Sequence, residues 1–445
     1  MFLIQIIALA VYAIVMLSAL IDFKKTVLVW VPLSLLFNPR VCILYQPPVT
    51  ALTVAVDLSL VMMYYLDKKK KAGSGSGYNE NPYFFTPAVK IMVASYVLSS
   101  LFSEIPYSMS FKMIIKQLIE YFGIIYILFR CLNSKEDLIL FTKALILSVL
   151  IFTIDGIVEG ITKINPIGAF IYLNTPDTED MTSRSYYSPF GEGEFRFGMI
   201  RCYSVFGLHL LFGFACCLAL FLILMLQRER EQLFNKINKT NIIYFPIIAL
   251  LFTGIIFSNS KGPMLCGVLI LLSRYKFKDL FNIWTITPLI IGFILLYIYL
   301  PDYFNNFLSL FDSDLAEEGK GSSVALREKQ FQIAFALFSN NPIFGSGINA
   351  ATYFQHNGFE DILGAESIWL KLLPDQGLFG VIAYLFMYYL IYEKSKNIIP
   401  KQVLLFYLLA ILCMDTTNGS SYEKIIWWIS MFLVARRYYE IKYSI

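Results

Sequence analysis

Residues 282–300 read NIWTITPLIIGFILLYIYL, and residues 301–365 read PDYFNNFLSLFDSDLAEEGKGSSVALREKQFQIAFALFSNNPIFGSGINAATYFQHNGFEDILGA. The first stretch carries no charge and approaches the roughly 20 residues that cross a bilayer as a helix. The second is too polar to cross one, and it contains a basic segment, an Asn-Asn-Pro stop and one of the two histidines of the chain. A long polar loop held between membrane helices is where we expect chemistry.

Apolar runs of this kind recur along all 445 residues. The composition is 57% hydrophobic and only 15% charged, whereas soluble proteins average about 25% charged residues. We therefore predict an all-α polytopic integral membrane protein, one membrane domain over 1–445, with about 12–14 transmembrane helices. The predicted spans lie near residues 2–20, 26–45, 49–66, 86–103, 111–130, 139–160, 204–226, 242–258, 263–273, 282–300, 366–392, 402–414 and 425–435.

The Lys and Arg residues of the short loops predict the orientation, because such residues favour the cytoplasmic side. Placing Lys24, Lys25 and the run at 68–71 inside puts most of the basic short loops inside as well. The amino terminus then lies outside and the carboxyl terminus inside. Two long outer loops result, at 161–203 and 301–365, and both are predicted to carry short amphipathic helices.

A helix is predicted within the second loop, over Arg327–Phe338. Apolar residues recur there with helical spacing at Phe331, Ala334, Phe335 and Phe338. The helix should end before Pro342, since the residue before a proline avoids the α-helical region. One apolar stripe with charges near its start indicates a helix that lies flat at the outer interface.

Basic residues from separate parts of the chain fall on the predicted outer face. They are Arg196 and Arg201 before the 204–226 span, Lys261 in the turn SNSKGP (258–263), and Arg327 in the second loop. Guanidinium groups offer forked donors to phosphate oxygens, so together these residues form a candidate phosphate site. Each residue alone is more often a solvated side chain or a lipid headgroup contact than a phosphate ligand.

Two residues of the second loop are candidate general bases. His356, in the sequence QHNG, has an imidazole suited to accepting a proton near neutral pH, although a lone loop histidine is more often a surface residue. Glu366 stands where the loop enters the next helix. There it could act as a base, or it could cap the helix start, where negative charge is favoured.

Other ionisable residues fall within the apolar runs themselves. Charge is costly in hydrocarbon, so such residues are functional candidates, but snorkelling or a hydrogen bond between helices is the favoured interpretation. They are Asp57, Lys116, Glu120, Asp155 and Glu159.

The sequence lacks the motifs that are typical of several other function classes. The basic residues lie in short loops and form no nucleic-acid-binding stretch. The seven cysteines show no metal-ligand spacing and are expected to be buried free thiols. No glycine-rich nucleotide loop or paired-aspartate motif stands out, so we expect no nucleic acid, metal or cofactor.

Four motifs over 196–385 resemble the O-antigen ligase and O-antigen polymerase superfamily. RCYSVFG (201–207) resembles the family's Arg-x-x-Gly-x-Phe, and SNSKG (258–262) its Ser-x-Ser-Arg-Gly, with lysine for arginine. Arg327 followed by PIFGSG (342–347) resembles an Arg before Pro-x-x-Gly-x-Gly. WLKLLPDQGLFG (369–380) resembles the closing Tyr-Leu-x-x-Leu-x-Glu-x-Gly-x-x-Gly.

The resemblance implies a bacterial inner-membrane enzyme with its active site facing the periplasm. It implies an inverting, metal-independent glycosyl transfer from a glycan on undecaprenyl pyrophosphate, for O-antigen or capsule. Outer-loop basic residues would bind the pyrophosphate, here Arg196, Arg201, Lys261 and Arg327. Membrane lipids and a chain-length regulator protein are the further partners expected.

The sequence departs from the ligase pattern at the base. Counting back from Gly377, the ligase His-Asn pair falls on Glu366 and Ser367, and His356 lies ten residues earlier. This register favours Glu366 as the base, with His356 as the alternative. It also favours a polymerase over a ligase that transfers glycan to the lipid A core. A lipid-linked glycan transporter without chemistry is the third alternative.

Overall fold

A computed structural model gives the fold. The part of the chain that it describes comprises residues 3–37, 41, 43–44, 49–71, 77–79, 81–174, 195–206, 208–228, 244–273, 283–299, 301–309, 314, 324–356, 367–417 and 432–441.

The described chain is almost entirely helical, which confirms the predicted all-α class. In chain order the α-helices are α1 (Leu3–Ile21), α2 (Phe23–Leu33), α3 (Ala51–Lys71), α4 (Thr86–Leu101), α5 (Tyr107–Lys116), α6 (Ile124–Cys131), α7 (Lys135–Thr162), α8 (Pro166–Asn174), α9 (His209–Arg228), α10 (Tyr244–Phe257), α11 (Lys261–Leu272), α12 (Ile283–Tyr299), α13 (Pro301–Leu308), α14 (Val324–Asn340), α15 (Ala350–His356), α16 (Ile368–Glu393), α17 (Lys401–Thr417) and α18 (432–441). Two-residue strands, β1 (Phe195–Arg196) and β2 (Met199–Ile200), pair antiparallel, with Phe195 opposite Ile200. Ser34–Leu36 and Ser204–Phe206 are 3₁₀ turns, and Gln117–Gly123 is a π-helical turn.

Within the described residues, α1, α7 and α16 are long and apolar enough to cross a membrane, and α4, α9, α10, α11 and α12 contain shorter apolar stretches. Large apolar side chains cover their outward faces; Ile14 is 63% exposed, and Ile154 is 53% exposed. Apolar residues on both the inner and outer faces of a helix are typical of membrane spans. The chain is therefore a multi-pass α-helical membrane protein.

Helix α9 lies at the centre of the bundle, packed against α7, α10 and α11. Its residues 214–225 are buried on every side, as expected for a helix that is apolar all round. Small residues bring the backbones close together. A Cβ at Gly213 would lie 2.6 Å from the Cβ of Pro263, so α9 and α11 could not approach as they do with a larger residue there. This packing places the starts of α9 and α11 near the end of α7.

Helix α16 is not the single straight span predicted for 366–392. Gly377 has φ +62° and ψ −160°, which breaks the helix into two arms. The rings of Trp369 and Tyr384 lie 5.4 Å apart, whereas a straight helix would hold these two residues about 22 Å apart along its axis. The two arms therefore fold back on each other at Gly377.

The predicted span 111–130 is also interrupted, since α5, the π-helical turn and α6 share it. Lys116 ends α5 and Glu120 lies in the π-helical turn, while Asp57 is half-buried on α3. The six cysteines within the described residues are buried and free, as predicted.

Candidate active site

The turn SNSK (258–261) connects α10 to α11, and its first three residues are fully buried. Asn259 adopts φ +46°, a left-handed conformation that asparagine tolerates better than most residues. Its N–H donates to the carbonyl of Ile256 at 2.8 Å. The extended backbone of Ser260 then lets α11 begin at Lys261. The polar sequence between two apolar runs thus forms a tight helix-to-helix turn.

Asn306 of α13 clamps this turn to the β1–β2 hairpin. Its side-chain amide donates to the Asn259 side-chain oxygen at 2.7 Å and to the Asn259 carbonyl at 3.1 Å. Its own Oδ1 accepts from Nη1 of Arg196 at 3.3 Å. Asn259 in turn donates to the Arg196 carbonyl at 3.3 Å. Three segments distant in sequence therefore meet in one buried polar network.

Two more basic residues lie at the same turn: Arg201 contacts it, and Lys261 is its last residue. Nη2 of Arg201 lies 3.5 Å from the hydroxyl oxygen of Ser260, and Nζ of Lys261 donates to the Ser309 carbonyl at 2.7 Å. Arg201 and Lys261 are half-buried, while Arg196 is buried. We call Arg196, Arg201 and Lys261, with the turn that joins them, the basic turn cluster. It concentrates three cationic side chains, which suits an anion such as phosphate.

Two buried carboxylates of α7 hold the chain just after Arg201. Oε2 of Glu159 accepts from the N–H groups of Tyr203 and Ser204 at 3.1 and 2.8 Å. Oδ2 of Asp155 accepts from the Ser204 hydroxyl at 2.7 Å. Burial, and then the Glu159 carboxylate, raise the pKa of the Cys202 thiol beside this segment, so that thiol stays neutral. The helix-to-helix hydrogen bonds predicted for Asp155 and Glu159 are instead bonds from a helix to a loop.

The motif PIFGSG (342–347) forms a lock with the break in α16. The N–H of Ser346 donates to the Pro374 carbonyl at 2.8 Å, and that of Phe379 donates to the Ile343 carbonyl at 3.0 Å. A Cβ at Gly377 would lie 2.6 Å from the Ile343 carbonyl carbon, so only glycine fits. This motif and the closing Gly-x-x-Gly motif therefore meet in space, and their glycines serve the backbone.

Asp375 completes this lock from within the break. Its carboxylate is fully buried and accepts from the N–H of Ala351 at 2.7 Å and of Asn349 at 3.1 Å. These donors belong to the start of α15, where unpaired N–H groups favour a carboxylate. The acidic residue of the closing motif thus has a structural partner inside the second polar loop.

Comparison with known families matches residues 246–385 to the family described as O-antigen ligase. The match covers less than half of the chain, and over these residues the sequence is similar to the O-antigen ligase and polymerase superfamily. The predicted resemblance is therefore confirmed over the turn, the second loop and the lock. A search of curated proteins finds no match to the chain. Superfamily members are membrane enzymes that act on lipid-linked glycans.

The matched O-antigen ligase region contains one of the three cationic residues of the basic turn cluster, and the other two lie before it. Lys261, its partner Ser309 and the clamp residues Asn259 and Asn306 are inside, whereas Arg196 and Arg201 precede it. The fold brings both halves together through the hydrogen bonds of Asn259 and Asn306. The site therefore draws on the amino-terminal half of the chain as well.

Of the remaining predicted residues, Arg327 and His356 belong to the described part of the chain and Glu366 does not. Arg327 is exposed on the first turn of α14, as predicted for the helix, and α14 packs against α16. Phe331 and Phe335 of α14 are exposed, while Ala334 is buried. His356 is the last residue of α15. Glu366 lies outside the described residues.

Ser367, next to Glu366 in the chain, begins α16 from a buried position. Its hydroxyl donates to the carbonyl of Asp415 at 3.2 Å, and the fully buried Asp415 carboxylate accepts from the hydroxyls of Tyr384 and Tyr388. This network lies outside the predicted site residues. The sequence offered one signal for it: Asp415 directly follows the apolar run 402–414, and ionisable residues in such runs are functional candidates.

Sequence reasoning also missed His209, the other histidine. It is buried at the first residue of α9, within range of the positive charges of Arg201 and Arg196. A histidine at the edge of an apolar run carries little sequence signal. Its position beside the basic turn cluster follows only from the packing of α9 against α11.

Proposed function

We propose that the protein is a polysaccharide polymerase of the O-antigen or capsule type. It transfers a growing glycan from undecaprenyl pyrophosphate to the hydroxyl of a lipid-linked repeat unit, at the periplasmic face and without a metal ion. The observation that carries the proposal is the basic turn cluster: three cationic side chains joined through one buried turn, partly within an O-antigen ligase region.

The reaction requires little covalent chemistry from the protein itself. The acceptor hydroxyl oxygen attacks the anomeric carbon, and the bond from that carbon to the pyrophosphate oxygen breaks. The pyrophosphate leaves with the electron pair, the configuration inverts, and the hydroxyl proton passes to a base. Positive charge at the leaving group and orientation of the acceptor supply the catalysis.

In this proposal the cationic residues stabilise the negative charge of the leaving pyrophosphate. Arg196, Arg201 and Lys261 would surround the pyrophosphate, and Arg327 would reach it from the second loop. Arg196 is held by Asn306, so its guanidinium is fixed before the ligand arrives, which lowers the cost of ordering it. The exposed Phe331 and Phe335 of α14 would border the lipid beside it.

The base is assigned to Glu366, with His356 as the alternative. Glu366 occupies the register of the ligase histidine and directly precedes Ser367, the buried start of α16. The absence of a His-Asn pair at that register is what favours a polymerase over a ligase.

The test is elongation by the purified protein. The protein is incubated with its native lipid-linked repeat unit, and products are separated on a gel. The Arg201→Ala and Arg327→Ala variants should stop at single repeat units, with rates at least about tenfold lower, since a charge-assisted hydrogen bond contributes about 1.5–3 kcal/mol. Lys329→Ala is the matched control, because it removes an exposed charge from the same helix as Arg327.

Three results would contradict the proposal. Long chains from both arginine variants would exclude the pyrophosphate role. Product on a core oligosaccharide acceptor, in place of longer lipid-linked chains, would identify a ligase. Movement of the lipid-linked glycan across a vesicle bilayer without any elongation would identify a transporter.

The base assignment has its own test in the same assay. Glu366→Gln should abolish elongation because the amide cannot accept the proton, and His356→Ala should retain it. The reverse pattern would move the base to His356.

A further inference from the structure

Glu159 and Asp155 form a carboxylate pair within the last two turns of α7, and both are buried. Glu159 concentrates three donors on one oxygen: the N–H of Ser204 at 2.8 Å, the N–H of Tyr203 at 3.1 Å and the amide of Asn165 at 3.1 Å. Burying a carboxyl group in a membrane protein is costly unless it is hydrogen-bonded. These three bonds offset that cost, and they also tie α7 to the segment at Tyr203 and Ser204.

The segment that is hydrogen-bonded to these carboxylates has an unusual backbone conformation. Ser204 has φ +49°, a conformation that residues other than glycine adopt rarely. Asp155 accepts from its hydroxyl at 2.7 Å, and Asn165 donates to its carbonyl at 2.8 Å. With the bonds from Glu159, every polar group of Ser204 has a partner. The surrounding residues therefore hold the backbone in a geometry that it would otherwise leave.

This geometry fixes where Arg201 lies. Two residues lie between Arg201 and Ser204, and the N–H of the first of them, Cys202, donates to the Phe257 carbonyl at 3.1 Å. The segment is thus anchored on one side to α7 and on the other to the end of α10, directly before the SNSK turn. Between these anchors, Nη2 of Arg201 lies 3.5 Å from the Ser260 hydroxyl oxygen.

We infer that Glu159 and Asp155 are positioning residues for Arg201. They set the backbone from which its guanidinium reaches the pyrophosphate, and neither touches the substrate. The inference rests on the proposed function, since it assigns the pair a part in binding that donor. It extends the site to α7, which precedes in the chain both the matched family region and the basic residues of the cluster.

The first experiment is a double-mutant cycle on the purified full-length protein. Glu159→Ala should lower the rate at limiting lipid-linked donor by about 10- to 100-fold, because a misplaced binding group costs that much in comparable sites. The effect should lie in KM for the donor and leave KM for the acceptor unchanged. Glu159→Gln should recover most of the rate, because its amide oxygen can still accept from the Tyr203 and Ser204 N–H groups.

The cycle separates positioning from mere stability. Arg201→Ala combined with Glu159→Ala should be no slower than Arg201→Ala alone, because Glu159 acts through Arg201. Losses that multiply in the double variant would overturn the inference. Glu104→Ala serves as the control, since it removes a glutamate whose partner, Asn341, belongs to another segment.

The second experiment works whatever reaction the protein catalyses. A nitroxide spin label at position 201 should give a broad, immobilised spectrum with Glu159 present and a sharper one in Glu159→Ala and Asp155→Asn. An unchanged spectrum in both variants would overturn the inference while leaving the proposed function standing. A sharpened spectrum together with normal elongation by Arg201→Ala would uphold the positioning and refute the pyrophosphate role.

Discussion

The side-chain amide of Asn306 donates a hydrogen bond to Oδ1 of Asn259 at 2.7 Å, and both residues are fully buried. This bond joins α13, at the start of the second polar loop, to the turn between α10 and α11. Asn306 also holds the guanidinium of Arg196. One side chain therefore sets the relative position of the loop, the turn and the hairpin.

Replacing Asn306 should loosen all three segments at once. Asn306→Ala leaves the carbonyl and side-chain oxygens of Asn259 buried without this donor, at a cost of about 1–3 kcal/mol in the free energy of unfolding. We expect a lower thermal midpoint in detergent and a loss of elongation. Asn305→Ala is the control, since Asn305 is the half-buried neighbour on the same helix. Equal midpoints and rates for the two variants would contradict the clamp.

The sequence predicted those elements whose cause is local. The apolar runs predicted most helices. The spacing of Phe331, Ala334 and Phe335 before Pro342 predicted α14, which the structure shows as Val324–Asn340. Four basic residues were predicted to form one site; Arg196, Arg201 and Lys261 meet at one turn, whereas Arg327 lies on α14 and its place in the site stays a prediction.

Features that depend on distant partners were not predictable in this way. The break at Gly377 exists because the backbone of Ile343 lies against it, and no local pattern of α16 shows that contact. The acids Asp155 and Glu159 were recognisable as costly, but their partners Tyr203 and Ser204 are set by tertiary packing. The Asp415 network likewise depends on the folding back of α16.

The lock at Gly377 should tolerate no side chain. A Cβ there would meet the Ile343 carbonyl at 2.6 Å, and φ is +62°. Gly377→Ala should lower the free energy of unfolding by more than about 1 kcal/mol, the smallest cost of left-handed strain in residues other than glycine. The measurement is thermal unfolding followed by intrinsic fluorescence.

Gly292→Ala is the matched control for this substitution. It lies within α12 with nothing within 4 Å of a new Cβ, so alanine should be neutral or stabilising by up to about 1 kcal/mol. Equal midpoints for Gly377→Ala and the native protein would show that the two arms of α16 are not locked in this way.

The predicted orientation has a direct test with single cysteines. The six described native cysteines are buried, so background labelling is low once Cys42 is replaced by serine. Glu328→Cys on the exposed start of α14 should react with a membrane-impermeant maleimide in spheroplasts. Lys68→Cys, exposed near the end of α3, should react only after lysis. The opposite pattern would place the second loop in the cytoplasm.

Asp415 offers a test of how the start of α16 is held. Its carboxylate accepts from the Tyr384 hydroxyl at 3.2 Å and from Tyr388, and its carbonyl accepts from Ser367. Asp415→Ala leaves two hydroxyls without this acceptor, and should cost about 3–6 kcal/mol in the free energy of unfolding, since hydrogen bonds to charged groups contribute about 1.5–3 kcal/mol each. Asp415→Asn keeps an acceptor oxygen and should cost less.

Tyr384→Phe distinguishes the loss of the hydrogen-bond network from the loss of packing that a cavity would cause. It removes one hydroxyl and keeps the ring that packs against Trp369, so its own cost should be about 1.5–3 kcal/mol, the contribution of one such bond. Added to Asp415→Ala, it should cost almost nothing further, because its partner is already gone. The Ser367 bond to the Asp415 carbonyl survives in Asp415→Ala, but the rings of Tyr384 and Tyr388 pack against Trp369, three residues after Glu366. Asp415→Ala should therefore also reduce elongation below what its lower stability explains, measured at a temperature where the variant stays folded. Additive stability losses, with elongation unchanged in the folded fraction, would show that Asp415 serves packing alone.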